Sequence, residues 1–355
     1  MQTIQTLDTT GARAVETFVQ GGTRYLVVAQ FAADRAGQPA QMTLGDSDIA
    51  SPVLRWEGGR FVPHAQLAVP GCEDAQHFRI GGRDFLACAS LRRGADPYDL
   101  NADSPIYEVR DGAFVPLQQV PAFGAKQWRH WSVGERHFLG LAAGVGPDAP
   151  ARQRQVSTLF EWNGQGFEPF QEVPSSWGYN WASARVRGED LVAHADHLAP
   201  SLILRWDGRR FAPWQEMPGK TGRAFCFFQA DGEDWLAFAC LMGETVLYRH
   251  DGERYVAHQT ICGPGGRELL WDAPTRRLLV VNFIRGSREA PQTVQQSCFF
   301  RFEGGRLVPG ETFETCGGTD ATLFTEAGVR YLLVSESLSP QVRFRTPSRL
   351  YRLEP

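Results

Sequence analysis

The sequence has no long apolar run and no excess of charge of one sign. No stretch approaches the 18 consecutive apolar residues of a membrane helix, and the start MQTIQTLDTTGARAVETF lacks both a basic leader and an apolar run before a cleavage site. Lys and Arg number 36 against 40 Asp and Glu, a net charge of −4, so the cationic surface that attracts nucleic acids or anionic membranes is missing. We therefore expect a cytoplasmic protein, a monomer, with no nucleic-acid or membrane partner.

Cysteine pairs and familiar catalytic motifs are also lacking. The seven cysteines are an odd number with no CxxC pair, which fits neither a disulfide framework nor a thiolate zinc site. They are Cys72, Cys88, Cys226, Cys240, Cys262, Cys298 and Cys316. We expect reduced thiols that fill the core. The sequence contains no GxSxG, HExxH, P-loop or EF-hand loop, so no enzyme class and no cofactor is predicted from motifs.

An internal repeat dominates what is present. Six segments share an alternating apolar run, an acidic or amide residue with Gly, and a large apolar residue two or three positions after that Gly. The segments are VLRWEGGRFVP, IYEVRDGAFVP, LFEWNGQGFEP, ILRWDGRRFAP, LYRHDGERYVA and FFRFEGGRLVP, and the large apolar residues are Phe61, Phe114, Phe167, Phe211, Tyr255 and Leu307. Alternation around an Asp-Gly, Asn-Gly or Glu-Gly turn predicts a tight antiparallel hairpin.

A second hairpin pattern, such as FVQGGTRYLVVAQ and FRIGGRDFLACAS, recurs seven times. Seven units of four strands predict an all-β, seven-bladed β-propeller in a single domain, 1–355. The last unit ends after three strands, in SRLYRLEP, while the chain begins with an orphan strand from Thr3 to Leu7. We expect that strand to complete the last blade and close the ring, which removes exposed sheet edges. The predicted blades are approximately 11–67, 71–120, 124–173, 177–217, 221–261, 265–313, and 317–355 with 2–7.

The repeat resembles the epitempin or EAR (EPTP) repeat, found in the propellers of the leucine-rich glioma-inactivated proteins. The matching pieces are Gly11-Ala12 with Phe18, Tyr25-Leu26-Val27-Val28-Ala29, Gly124-Ala125, Leu247-Tyr248, and Phe211 with Gln215. This resemblance implies a propeller, and protein binding in the animal members. It also implies a calcium ion in the channel, for which Asp74 and Asp320 occupy the positions of the family's aspartates. Calcium is implied by the resemblance alone.

The predicted site lies where the propeller axis meets the face that carries the long connections from second to third strands. Those connections are 32–51, about 91–104, about 144–156, 285–296 and 337–347, and variable loops on a rigid scaffold often carry function. Aligned innermost strands place two mostly polar rows at the axis. One row holds Ala14, Asp74, Gln127, Asn180, Ala224, Arg267 and Asp320, and the other holds Arg13, Glu73, Lys126, Tyr179, Arg223, Gly266 and Thr319. Such rows line either a water-filled channel or a ligand site.

Three functions stay open at this point. In the first, the funnel binds a small molecule or a protein segment, with charge from Lys126, Arg223 and Arg267, hydrogen bonds from Tyr179 and Asn180, and a stacking wall from Trp128 or Trp181. The full set of predicted binding residues is Arg13, Asp74, Lys126, Gln127, Trp128, Tyr179, Asn180, Trp181, Arg223, Arg267, Glu268 and Asp320. In the second, the same funnel is an enzyme site with Glu73, His130 or His194 as acid or base. In the third, the ring is an assembly scaffold.

Overall fold

The computed structural model describes residues 1–146, 149–150 and 154–354. Within these residues the chain forms seven four-stranded antiparallel sheets and one two-stranded hairpin, and a 3₁₀ turn spans Ala273–Thr275. None of the helical structure in this part of the chain is long and apolar enough to cross a membrane. The all-β class predicted from the repeat is confirmed.

Each blade is listed from its innermost to its outermost strand. Blade one is β2 Ala12–Gln20, β3 Thr23–Gln30, β4 Ser51–Glu57 and β5 Arg60–Leu67. Blade two is β6 Cys72–Ile80, β7 Arg83–Ser90, β8 Asn101–Arg110 and β9 Ala113–Phe123. Blade three is β10 Ala125–Val133, β11 Arg136–Ala143, β12 Val156–Trp162 and β13 Phe167–Pro174. Blade four is β14 Gly178–Val186, β15 Glu189–Asp196, β16 Ser201–Trp206 and β17 Phe211–Met217.

The remaining blades follow the same order. Blade five is β18 Gly222–Ala230, β19 Glu233–Cys240, β20 Thr245–His250 and β21 Tyr255–Cys262. Blade six is β22 Gly266–Asp272, β23 Arg277–Asn282, β26 Val294–Glu303 and β27 Arg306–Cys316, with the small hairpin β24 Arg285–Gly286 and β25 Pro291–Gln292 in its long connection. Blade seven is β28 Gly318–Glu326, β29 Val329–Glu336, β30 Ser348–Arg352 and β1 Gln2–Leu7.

The blades form a closed ring. Each innermost strand contacts the innermost strands of both neighbouring blades, and the series returns from β28 to β2. The N-terminal strand β1 pairs antiparallel with β30, with Thr3 opposite Tyr351 and Leu7 opposite Ser348. The predicted seven-bladed propeller, closed by the N-terminal strand, is therefore confirmed.

Glycine pairs make the tight turns within the blades. Gly58 and Gly59, between β4 and β5, have φ angles of 58° and 82°. Two successive positive φ angles are typical of the two-residue turns that match the twist of a hairpin, and glycine adopts them without strain. The loops on one face of the ring are therefore short, and the long connections lie on the opposite face.

The core lies between blades, where aromatic side chains from adjacent sheets interlock. Phe211 of blade four is fully buried, with its ring centroid 5.3 Å from that of Phe138 and 5.6 Å from that of Trp131 in blade three. Both contacts are edge-to-face, an arrangement that aromatic pairs favour. The large apolar residue of the hairpin repeat is thus the contact with the preceding blade.

A glutamine in the outermost strand also ties neighbouring blades together. The side-chain amide of Gln171 donates to the carbonyl of Phe211 at 2.8 Å, while the Phe211 N–H donates to its Oε1 at 3.0 Å. The same two-way bond joins Gln5 to Phe61, Gln118 to Phe167, Gln215 to Tyr255, and Gln259 to Leu307. We call these bonds glutamine clips. Gln5 lies in β1, so its clip spans the closure of the ring.

Candidate ligand-binding site

Every innermost strand has a β-bulge near its start. In β2, Ala12 pairs with Gln30 and Ala14 with Ala29, which leaves Arg13 without a partner on β3. The other six innermost strands skip one residue in the same way. A bulge re-aims the side chain of the extra residue. The seven skipped residues, which we call the bulge ring, are Arg13, Glu73, Lys126, Tyr179, Arg223, Arg267 and Thr319.

The bulge ring converges on the propeller axis. All seven of its side chains line a cavity of about 30 Å³, together with six residues that immediately follow them in the chain. These six, which we call the second row, are Ala14, Asp74, Gln127, Asn180, Glu268 and Asp320. A volume of this size holds about one water molecule.

Blade six departs from the sequence alignment by one residue. The alignment placed Arg267 in the row with Asp74, and Gly266 in the row with Arg13. In the structure Gly266 pairs with Asn282 and Glu268 pairs with Val281, so Arg267 is the bulged residue and Glu268 belongs to the second row. The alignment used Trp271 as the equivalent of Phe18, whereas Asp272, opposite Arg277, takes that position.

Above the bulge ring the axis opens into a funnel with a volume of about 620 Å³. Its floor consists of the bulge ring apart from Thr319. Its wall includes residues that directly follow the second strands, namely Phe31, Leu91, His197, Leu241 and Phe283. Ligand pockets for small molecules usually range from about 300 to 1,000 Å³ and combine apolar walls with a few polar groups. The funnel has both features.

The floor of the funnel is strongly cationic. Glu73 is the only carboxylate in the bulge ring, and four cations share the ring with it, which leaves a net charge of +3. Its oxygens lie 3.6 Å from Arg13 Nε, 3.9 Å from Lys126 Nζ and 3.8 Å from Arg267 Nη2. At these distances the groups form ion pairs, but the distances exceed the usual length of a hydrogen bond. Burial opposes ionisation of Glu73, but Lys126, Arg13 and Arg267 outweigh it and lower its pKa.

Tyr179 lies among three cations. The guanidinium carbon of Arg223 is 3.4 Å from the centre of its ring, Lys126 Nζ is 5.1 Å away, and the guanidinium carbon of Arg267 is 5.3 Å away. Cations over an aromatic face are attracted by its negative potential. Burial disfavours ionisation of the phenol, yet the charges of Arg223, Lys126 and Arg267 lower its pKa below the ordinary value.

Several buried donors of the floor have no hydrogen-bond partner within the described residues. They are Arg13 Nε, Arg223 Nε and Nη1, and Arg267 Nε. Arg223 is only 6% exposed and makes no ion pair with any described carboxylate. Burial lowers the pKa of Arg223 to about 10 and also lowers that of Lys126. Uncompensated buried charge is costly, so this arrangement favours an anion in the funnel.

The second row holds blades together. Asp74 accepts the backbone N–H of Trp128 at 2.8 Å, and Asp320 accepts that of Val15 at 2.8 Å. Gln127 accepts the N–H of Trp181, and Asn180 accepts that of Phe225. Each acceptor therefore bonds to an innermost strand of the next blade.

The second row does not fit calcium. Asp74 and Asp320 each already accept a backbone N–H of the next blade, whereas calcium takes six to eight oxygen ligands. Four cations of the bulge ring also line the same small cavity. The described part of the chain contains no group of three or more His, Cys, Asp or Glu placed to hold a metal ion. We derive no role for calcium from these residues.

The structure places Trp128 and Trp181 in the core and not on the funnel wall, which corrects the stacking wall expected from the sequence. Both are 1% exposed, and Trp128 donates from Nε1 to the carbonyl of Cys88 at 3.0 Å. Trp181 packs on the ring of His194, with centroids 4.3 Å apart. Each follows the second-row residue of its strand, where the side chain turns away from the axis into the space between blades.

Of the three acid/base candidates, only Glu73 lines the funnel. His130 stacks on Phe78 with ring centroids 4.7 Å apart, and burial lowers its pKa to about 4. His194 is fully buried with its Nε2 2.9 Å from Ser157 Oγ, and burial lowers its pKa to about 4 as well. Both histidines therefore pack between other side chains and do not line the funnel, which corrects their predicted position.

Sequence reasoning did not assign Arg92 to the funnel. Its guanidinium donates to Ser47 Oγ and to the carbonyls of Thr43 and Leu44, at 2.7 to 2.8 Å, and its carbon lies 3.6 Å from the ring centre of Tyr98. It thereby fixes the long connection of blade one against that of blade two. The available signal was an arginine two residues after the end of an apolar second strand. The connection 144–156 lies partly outside the described residues.

Trp177 and His197 also line the funnel without having been assigned to it. Asp196 positions both, since its carboxylate accepts the N–H of Trp177 at 3.1 Å and that of Leu198 at 2.9 Å. Trp177 Nε1 and His197 Nδ1 are buried and have no partner in the described structure. The sequence candidate His194 lies three residues before His197, but the two histidines differ in role, because His194 packs in the core and His197 faces the cavity.

The closed ring with its axial funnel defines a seven-bladed β-propeller. The EPTP domain model matches residues 2–57, 60–108, 166–207 and 210–251, more than half of the chain. The protein belongs to the EPTP domain family.

Two relatives and two solved structures extend this comparison. The thrombospondin-type laminin G domain and EAR repeat-containing protein of Mus musculus is 30% identical over 122 residues, which are 34% of this chain and 17% of that protein. The Homo sapiens protein of the same name is 30% identical over 98 residues, 27% of this chain and 14% of its own length. The chain therefore matches less than a fifth of the length of these relatives.

The solved structures show the fold alone. The periplasmic gluconolactonase PpgL of Pseudomonas aeruginosa has a TM-score of 0.63 at 18% identity, covering 89% of this chain and 98% of that one. A putative 6-phosphogluconolactonase of Bacteroides fragilis has a TM-score of 0.60 at 12% identity, covering 89% and 97%.

Proposed function

We propose that this propeller binds a small molecule with an anionic group in its axial funnel. The observation that carries this proposal is the bulge ring, in which three buried cations, the partly buried Arg267 and one carboxylate line a single cavity of about 620 Å³. An anion placed there would receive charge-assisted hydrogen bonds, which contribute about 1.5 to 3 kcal/mol each. The cavity's volume is that of a small-molecule pocket, which favours such a ligand over a folded partner.

The alternatives from the sequence have less support. An enzyme would depend on Glu73, the one acid/base candidate in the funnel, and the surrounding cations keep its pKa low. A low pKa makes a carboxylate a weak base at neutral pH. A scaffold would need no buried, unpartnered guanidinium groups at its axis. The cytoplasmic location, the monomeric state and the lack of nucleic-acid and membrane partners remain predictions.

Arg223 is the residue to change first. It makes no ion pair with the described carboxylates, so Arg223→Gln breaks none and reduces repulsion among the cations. Arg110→Gln is the matched control, because Arg110 lies at the end of β8 near the turns of the other face and pairs with Glu108. Inorganic phosphate, citrate and benzoate, titrated calorimetrically at low salt, are suitable probes.

We expect at least one probe to bind the unmodified protein and to bind Arg223→Gln tenfold or more weakly, which corresponds to about 1.4 kcal/mol. The melting temperature of Arg223→Gln should stay near native, and Arg110→Gln should bind like the unmodified protein. Equal affinities across the three proteins, or no binding of any probe, would contradict the proposal.

A further inference from the structure

The wall of the funnel is uneven around the ring. The connection from second to third strand has 20 residues in blade one, 10 in blade two and 11 in each of blades six and seven. In blades four and five it has only four, residues 197–200 and 241–244. These two blades are neighbours, so the low part of the wall is continuous. We call it the notch.

Exposed apolar side chains mark the notch. Leu198 is 54% exposed and Met242 is 51% exposed, and only six large apolar side chains are exposed in the described structure. Met242 lines the funnel. A β-carbon placed on Gly146 would lie 2.7 Å from Leu198 Cδ1 and 2.9 Å from Trp177 Cε3, so Leu198 and Trp177 flank the same point of the rim. Met242 lines the funnel and Leu198 lies beside Trp177, which also lines it, so exposed apolar side chains adjoin the pocket at the notch.

The notch leads down to Arg223, which lies over the ring of Tyr179 and pairs with no described carboxylate. Tyr179 and Arg223 are the bulged residues of blades four and five, the two blades that form the notch. Trp177, His197 and Leu241 line the funnel on the same two blades. Apolar and aromatic surface therefore extends from the rim at Met242 to a floor at Arg223 whose Nε and Nη1 lack partners within the described residues.

We infer that the ligand is an amphiphile, with its carboxylate, sulfonate or phosphate group on the bulge ring and an apolar or aromatic body that lies against the funnel wall and leaves through the notch. This inference rests on the proposed function and specifies its ligand class. A small hydrophilic anion would satisfy the cations but would leave Leu198, Met242 and the apolar wall without a role. An apolar molecule would leave Arg223 uncompensated.

The experiment uses two fluorescent probes that differ by one charged group. 8-Anilinonaphthalene-1-sulfonate and N-phenyl-1-naphthylamine share the same aromatic body, and only the first carries a sulfonate. We expect the unmodified protein to bind the sulfonate probe at least tenfold more tightly than the neutral probe, and Arg223→Gln to lose most of that preference. Thermal melts of each variant confirm that the probe reports a folded protein.

The notch is tested separately with Leu198→Ser and Met242→Ser, changes at exposed side chains that leave the core intact. We expect each to weaken binding of the sulfonate probe about threefold or more while phosphate and citrate bind as before. Val115→Ser, a third exposed apolar residue, located in β9, is the control and should change nothing. Displacement of the probe by acetate, hexanoate and decanoate should strengthen along the series, by up to about fourfold per methylene that becomes buried.

The outcomes separate the two proposals. If small anions bind in an Arg223-dependent way but the neutral and sulfonate probes bind equally, or the notch variants and chain length have no effect, the amphiphile inference is overturned and the binding function stands. If Arg223→Gln alters the binding of no anion, the proposed function fails, and the inference fails with it.

Discussion

Glu268 is a partly buried acid at the axis whose titration couples to folding. Burial, followed by repulsion from Asp320, raises its pKa to about 8 from 4.5. The native state therefore holds this proton more tightly than the unfolded chain between about pH 4.5 and 8, and the free energy of unfolding falls as pH rises through that window. Glu16 and Asp320, with pKa values raised to about 7 and about 6, act in the same direction.

Glu268→Gln tests this effect, since the amide keeps an acceptor for the N–H of Leu269 and cannot ionise. The stability gained by the variant relative to the parent should be smallest near pH 4.5 and grow by at most about 1.4 kcal/mol per pH unit up to about pH 8. Urea unfolding at a series of pH values measures it. Glu57 is an exposed carboxyl paired with Arg55, so the free energy of unfolding of Glu57→Gln should vary with pH in the same way as that of the parent. A stability difference that does not vary with pH would refute the linkage.

Many residues of the candidate site could be predicted from the aligned innermost strands. The others could not, because their positions depend on strand pairing that the sequence does not show. Arg13, Lys126 and Arg223 fell in one row because their blades share a pattern around the innermost strand. Period-two alternation cannot reveal a bulge, because the extra residue changes pairing without changing composition. Arg267 entered the wrong row because Trp271 was aligned with Phe18, and Trp128, predicted as a stacking wall of the funnel, is buried between blades.

At the scale of the strand, the glutamine clips account for the spacing of Phe211 and Gln215. The large apolar residue of β17 packs on blade three, while Gln215 four positions later reaches forward to the backbone of Tyr255 in blade five. One short motif therefore contacts both neighbours. Sequence comparison identified the motif, but its partner lies about 40 residues away in another sheet and could not be read from local pattern.

Gln171→Ala removes one clip and leaves the N–H and carbonyl of Phe211 without that partner. We expect the free energy of unfolding to fall by about 1 to 3 kcal/mol, the cost of leaving partly buried polar groups unpaired. Chemical denaturation measures the loss. Glu172→Ala, next in the strand and paired at the surface with Arg154, should cost less than about 1 kcal/mol. Equal small losses would show that the clip contributes nothing.

At the scale of the whole molecule, the ring depends on its first strand. Leu7 is 5% exposed, and Gln5 forms the clip to Phe61 that crosses the closure. Ile4 is 38% exposed, so the strand contributes one large buried side chain and its backbone ladder to β30. Counting strands predicted this closure, because the last blade lacks its outermost strand and the chain begins with a strand that has no partner in the first blade.

Removing residues 1–8 should lower the melting temperature well below that of the parent or cause aggregation, because it exposes the edge of β30 and removes the burial of Leu7, worth about 1.5 to 3 kcal/mol. Ile4→Ser keeps the strand and loses only an exposed side chain, so its melting temperature should stay close to the parent's. Differential scanning calorimetry and light scattering distinguish these results. A truncated protein that melts like the parent would disprove closure by β1.

The bulges make the side chains at the axis independent of the strand pairing within each blade. A bulged residue has no partner opposite it in the ladder, so exchanging its side chain leaves the pairing register of its blade intact. The strand pairing therefore does not depend on the seven side chains, although ion pairs of Glu73 and cation contacts of Tyr179 couple several of them to one another. A single codon change can alter the charge that the axis presents. A combinatorial library confined to these seven codons would therefore vary the charge and shape of the axis on an unchanged strand ladder.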